Sequence, residues 1–143
     1  MTNEYIVSKL PYSQPFLFVD ELLHVDENGA EGTFTFQENM PFYEGHFKDN
    51  PVTPGVILSE VMAQIGVACL GIYLVADELT EQTKIAMSSM DIEFLKPVFP
   101  GEKVTVKSRK IYFRFGKLKC EVDLYNSRGE QACSGKISGI IIQ

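Results

Sequence analysis

Three polar side chains, His46, Glu60 and Gln64, fall within one stretch, EGHFKDNPVTPGVILSEVMAQ (residues 44–64), and their types suit proton transfer. His46 stands in the turn-like sequence Gly45-His46-Phe47. Histidine as a residue type titrates near neutrality, which suits it to act as a general base. Glu60 interrupts an apolar run. A carboxyl drawn out of water has a raised pKa and makes a usable general acid. Gln64 lies four residues beyond Glu60, on the same helix face, where it can hold that carboxyl or a water. Between histidine and glutamate come Pro54 and Gly55. Proline suits the first position of a helix, where its missing N–H costs nothing. The Gly55 N–H, with Val56 beside it and the helix dipole behind, is a candidate donor to a developing oxyanion or to substrate. Each group also has a plainer use, the histidine as a surface hydrogen-bonding residue and the glutamate as a buried structural acceptor.

The element that positions Glu60 and Gln64 must be a helix. From Gly55 onward the chain reads VILSEVMAQIGVACLGIYLVA, apolar on nearly every side. Such a helix is either buried in a core or spans a membrane. Its length permits a span. Glu60 and Gln64 inside the run, Gly66 and Gly71 within it, and no flanking Lys or Arg cluster favour a core helix and no membrane span. The rest of the chain supplies the wrapping. Residues 4–10 read as a short helix or extended arm ending at Pro11. Residues 16–25 read as a strand, 26–29 as an Asn-Gly turn, and 32–37 as a returning strand. After a polar connection over 76–83, strands are expected at 84–95, at 103–107 with continuation to 115, at 117–124, and at 130–142, with turns at 97–102, 116 and 126–129. Alternation over Lys117–Leu124 is the cleanest in the chain. One long helix among six antiparallel strands predicts an α+β fold. The 143 residues form one domain, 1–143, without repeats or linkers.

Composition narrows the function. A net charge of −6 argues against a broad nucleic-acid surface. Two histidines and three scattered cysteines, Cys69, Cys120 and Cys133, offer no metal or redox spacing; two of the cysteines lie in apolar or alternating stretches and read as packing residues, in keeping with a reducing, cytoplasmic setting. His24 carries no functional mark. The first residues, MTNEYIVSKLP, lack the apolar core of a signal peptide. Basic residues gather in the second half, at Lys96, Lys103, Lys107, Arg109, Lys110, Arg114, Lys117 and Lys119. Most suit solvated strand faces; Arg109, Lys110 and Arg114 are candidates for contact with an acidic partner.

Gly45-His46-Phe47, followed by Pro51-Val52-x-Pro54-Gly55-Val56 and Glu60-x-Met62-Ala63-Gln64, resembles the signature of the 3-hydroxyacyl-[acyl-carrier-protein] dehydratases. Leu10-Pro11, Pro15-Phe16-Leu17 and Val19-Asp20 resemble that family's amino-terminal segment, and Phe94-x-Lys96-Pro97-Val98-x-Pro100-Gly101 its later strand and turn. The resemblance implies a hot-dog fold, in which a six-stranded sheet wraps the long helix. It implies His46 and Glu60 as the catalytic pair, with glutamate at 60 resembling the branch that dehydrates without isomerising the double bond. It implies an acyl carrier protein that delivers substrate on phosphopantetheine, and a homodimer or larger oligomer in which one protomer's histidine meets the other's carboxylate. No metal or redox cofactor is required. The chain departs from the family pattern at Tyr12-Ser13, where a His-Arg pair is usual, and at Lys48-Asp49, where Pro-Gly is usual.

The chemistry of a 3-hydroxyacyl thioester matches these residue types. Its α-proton is weakly acidic and hydroxide leaves poorly, so one group must take a proton while another supplies one. His46 fits the first role, Glu60 the second, and the Gly55 amide the enolate-like oxygen. Two other readings remain: a hot-dog thioesterase in which the helix carboxylate activates water, and a non-catalytic acyl-thioester binding module.

Overall fold

A computed structural model describes residues 1–143. A short helix α1 (Asn3–Ser8) opens the chain, capped by Thr2, whose hydroxyl oxygen accepts from the Tyr5 N–H at 3.0 Å. Two strands follow, β1 (Glu21–Asp26) and β2 (Gly29–Thr35). Asp26 builds their turn by accepting from the N–H groups of Asn28 and Gly29 at 2.8 and 3.2 Å. A single 3-10 turn, Pro41–Glu44, leads into the His46 loop. The central helix runs Gly55–Leu74 in three pieces: α2 (Gly55–Ala63), a π-helical turn (Gln64–Ala68) and α3 (Cys69–Leu74). Four long strands complete the chain: β3 (Lys84–Phe94), β4 (Lys103–Arg114), β5 (Lys117–Tyr125) and β6 (Gln131–Ile142).

All pairings are antiparallel, and the sheet order is β1-β2-β4-β5-β6-β3. The sheet curls around the helix, whose π-helical turn meets β2, β4, β5 and β6. Every residue from Val61 to Ile72 is buried, so the apolar run is the core of the protein although it is long and apolar enough to cross a membrane. Gly66 permits the close approach: a Cβ there would lie 2.9 Å from Cγ1 of Val122 on β5. From the sheet side β5 alternates strictly, with Leu118, Cys120, Val122 and Leu124 buried against the helix. The expected α+β, hot-dog arrangement is present. The three cysteines are free and buried, and burial pushes each thiol up to about 12, so they pack as small apolar residues.

Three expectations need correction. The first strand begins at Glu21, not Phe16, because the backbone of residues 16 and 18 bonds to the Gln64 side chain instead of to a neighbouring strand. The second begins at Gly29 and ends at Thr35, because pairing with β1 runs up to the Asp26↔Gly29 turn. The helix is not uniform: the π-helical turn adds a residue to one turn, placing Cys69 five residues after Gln64.

β3 lies at a sheet edge, paired only to β6, and it is exposed over most of its eleven residues. Phe94 and Leu95 at its end, and Phe99 beyond, are large apolar side chains open to solvent. A long exposed edge of this kind is a ready template for another strand.

Candidate active site

The His46 loop is held from three sides. The His46 N–H bonds the Phe42 carbonyl at 3.0 Å, and the Thr53 N–H bonds the Val98 carbonyl at 2.8 Å. Beneath them, the buried hydroxyls of Tyr43 and Thr53 share a hydrogen bond of 2.5 Å. Phe47 and Asp49 take left-handed backbone conformations, with φ of 56° and 66°. That is an uncommon state for a bulky residue, and such strain gathers at functional loops. The Phe47 ring stacks on the imidazole, with centroids 4.4 Å apart and planes 17° apart.

His46 Nδ1 lies 2.7 Å from the Val52 carbonyl oxygen. A carbonyl can only accept, so the hydrogen of this bond belongs to Nδ1 and the neutral ring carries its lone pair on Nε2. The imidazole is half-buried and lines a groove of about 380 Å³ with Val52, Gly55, Leu58, Phe94 and Leu95. The wall is mostly apolar. Gly55 brings the first amide of the helix to this groove; Val56 points its side chain to solvent. A Cβ on Gly55 would lie 3.2 Å from the Phe94 ring, so a larger residue would press into the wall of the groove.

Glu60 is not on this side. It sits five residues after Gly55, which turns it by about 140° around the helix axis. It packs instead against the segment that follows Pro11. There Gln64 ties the site together with three hydrogen bonds. Its Nε2 donates to Glu60 Oε2 at 2.9 Å and to the Phe16 carbonyl at 3.0 Å, and its Oε1 accepts from the Phe18 N–H at 2.8 Å. Gln64 is fully buried, so these bonds are what makes its burial tolerable. They also fix which Glu60 oxygen is left free: Oε1. The expected pairing of Glu60 with Gln64 is present. The sequence does not mark Phe16 and Phe18 as the residues that hold Gln64, since backbone groups forty-eight and forty-six residues away leave no spacing signal. Val52 was likewise seen only as part of the motif, though its carbonyl sets the histidine tautomer.

Burial holds the Glu60 carboxyl above the usual carboxylate range, and the hydrogen bond from Gln64 pulls the other way without cancelling it. The folded chain therefore binds this proton more tightly than the unfolded chain. The stability it contributes is complete below the ordinary glutamate pKa and is lost as pH rises through the raised, folded value. Glu60→Gln keeps a carbonyl oxygen for Gln64 and removes the titration. The melting temperature of E60Q is expected to fall less than that of the wild type over this pH interval in a thermal-unfolding series. Parallel curves would mean that Glu60 ionises in the folded protein as it does in water.

The arrangement offers a base in an apolar groove and a half-buried acid on the opposite side of the same helix. Comparison with known proteins shows the family of the chain. A family model described as a FabA-like domain matches residues 10–126. The chain is 36% identical over 127 residues to the 3-hydroxyacyl-[acyl-carrier-protein] dehydratase FabZ of Anaplasma marginale, covering 87% of this chain and 86% of that protein. It is 36% identical over 140 residues to the FabZ of Magnetococcus marinus, covering 92% and 86%. Among solved structures, the dehydratase heterocomplex ApeI:P of Xenorhabdus doucetiae matches with a TM-score of 0.79 at 12% identity, over 96% of this chain and 91% of that one. A Haemophilus influenzae thioesterase matches with a TM-score of 0.71 at 18% identity, over 100% and 92%. These structural likenesses carry the fold alone, since dehydratase and thioesterase share it. The sequence relatives carry more: the chain belongs to the FabA-like family, among the 3-hydroxyacyl-[acyl-carrier-protein] dehydratases.

Proposed function

We propose that the protein dehydrates 3-hydroxyacyl thioesters to trans-2-enoyl thioesters, with His46 as base and Glu60 as acid. The observation that carries this reading is the His46 Nδ1–Val52 bond, which leaves Nε2 unprotonated beside an apolar groove. Nε2 takes the α-proton, and the C–H electron pair forms the new double bond as the C3–O bond breaks. Glu60, whose proton burial holds more tightly than water would, gives it to the departing oxygen, which leaves as water. The Gly55 amide, at the start of the helix, steadies the thioester oxygen while enolate character builds, with Val56 next to it in the first turn. Gln64 keeps the Glu60 carboxyl in place.

Base and acid face opposite sides of one helix, so we assign each site to two chains. A two-fold dimer would carry the His46 groove of one protomer to the Glu60 side of its partner, and would do so twice. The exposed β3 edge and the open apolar side chains of Phe47, Val56, Phe94 and Leu95 around the groove support an interface there. The acyl group would arrive on the phosphopantetheine of an acyl carrier protein, in the cytoplasm and in the synthesis of fatty acids or related lipids. Of the three basic candidates for that partner, Arg109 is engaged with Glu121 across β4 and β5, and Arg114 covers the Tyr112 ring at 4.4 Å. Lys110 stays open to an acidic partner.

A 3-hydroxybutyryl pantetheine thioester supplied to the purified protein is expected to yield enoyl absorbance without free thiol. Release of thiol would make the protein a thioesterase. Binding with neither signal would make it an acyl-thioester binding module.

A further inference from the structure

Tyr12 follows Pro11 on the segment that covers the Glu60 side of the helix. It is half-buried and packs against the core. Its ring lies 6.2 Å from that of Phe16, the residue whose carbonyl accepts from Gln64. The phenol is close enough to feel both the Glu60 carboxyl and the Cys69 thiol. Those two groups sit on the same helix face as Gln64, because the π-helical turn brings Cys69 into line. The Tyr12 phenol therefore lies on the Glu60 side of the helix, with its oxygen still open to solvent. No hydrogen bond to the chain occupies its hydroxyl. A hydroxyl beside an acid, open to solvent and without a partner in the chain, is free to bond a ligand that enters there.

We propose that Tyr12 binds substrate, its hydroxyl donating a hydrogen bond to the 3-hydroxyl oxygen beside Glu60. This rests on the dehydratase reading. In that reaction the oxygen at C3 must be held so that one lone pair faces the acidic proton. A second donor on the same oxygen fixes that direction and favours the charge that gathers as C3–O breaks. The donor must not compete as an acid. Burial pushes the phenol up to about 12, so Tyr12 keeps its proton throughout the cycle. The thioester end of the substrate has its own donor at Gly55, which leaves the 3-hydroxyl as the polar group on the Glu60 side. A saturated acyl group has nothing there for Tyr12 to hold, so the contact also selects 3-hydroxyacyl chains over saturated ones.

Tyr12→Phe keeps the ring against Phe16 and removes only the hydroxyl. Two probes separate the roles: kcat/KM for 3-hydroxybutyryl pantetheine, and the inhibition constant of butyryl pantetheine, which lacks the 3-hydroxyl. Losing one neutral hydrogen bond is expected to lower the first by about 3- to 10-fold and to leave the second unchanged. An unchanged kcat/KM would overturn the proposal. So would an equal weakening of both, which would mark Tyr12 as a packing residue; kcat/KM is referred to the folded fraction found by circular dichroism, since misfolded protein lowers it without moving the inhibition constant. Tyr12→Leu, which removes ring and hydroxyl together, is expected to weaken both probes, with the hydroxylated one losing more; equal losses again overturn the proposal. A wild-type protein that formed no enoyl product would instead bring down the dehydratase reading itself, before any variant was made.

Discussion

His46→Ala and Glu60→Gln are each expected to lower turnover of a 3-hydroxyacyl thioester by about 10²–10⁴-fold, the usual contribution of one general acid or base. The structure indicates that both proteins will fold. The imidazole is half-buried and its single hydrogen bond goes to the Val52 carbonyl, which the groove leaves open to water once the ring is gone. Gln at position 60 retains an acceptor for the buried Gln64 amide. The losses should therefore appear in kcat, with circular dichroism and melting behaviour close to the wild type at neutral pH. A folded variant with near-normal turnover would remove that residue from the mechanism. The two variants also differ in kind. Alanine removes the imidazole, while glutamine keeps the shape and the hydrogen-bonded neighbours of Glu60 but has no proton to give.

Mixing those two inactive proteins is expected to restore about a quarter of wild-type activity. Each mixed dimer has one site with both wild-type groups and one site with neither. Random exchange of subunits makes about half of the dimers mixed, and half of their sites are whole. The expectation follows from geometry. His46 opens on a groove lined by Gly55 and Leu58, and Glu60 stands two residues past Leu58, about 160° away around the helix. If each site were built inside one chain, every site in the mixture would lack a group, and activity would stay at the level of the separate variants. Subunit exchange has to be confirmed by mass or by a tag, so that silence is not mistaken for a single-chain site.

The sequence by itself determined the elements whose signals are local. β5 alternates in sequence and alternates in burial, because a strand with one face on a core must bury every second side chain. The apolar run after Gly55 is the core helix, since the uniform apolarity that marks it in sequence is what wrapping by a sheet requires. Glu60 and Gln64 bond each other because four residues is one helical turn. The motif order from Gly45 to Gln64 was enough to point to the family, since it joins residue type and spacing over the stretch that holds the chemistry.

Other features depend on contacts between distant parts of the chain, and only the tertiary structure decided them. Phe16 to Phe18 look like a strand by composition, yet their backbone groups bond to a side chain forty-six and forty-eight residues on. The histidine tautomer is set by a loop carbonyl whose direction no residue type encodes. The π-helical turn that aligns Cys69 with Gln64 arises within a helix packed tightly on β2, β4, β5 and β6. Tyr12 lies forty-eight residues before Glu60, and only the fold brings its phenol within reach of that carboxyl's field. Periodicity reports which face of an element is buried. It carries no information on which distant group will be waiting at that face, because that depends on how the elements pack.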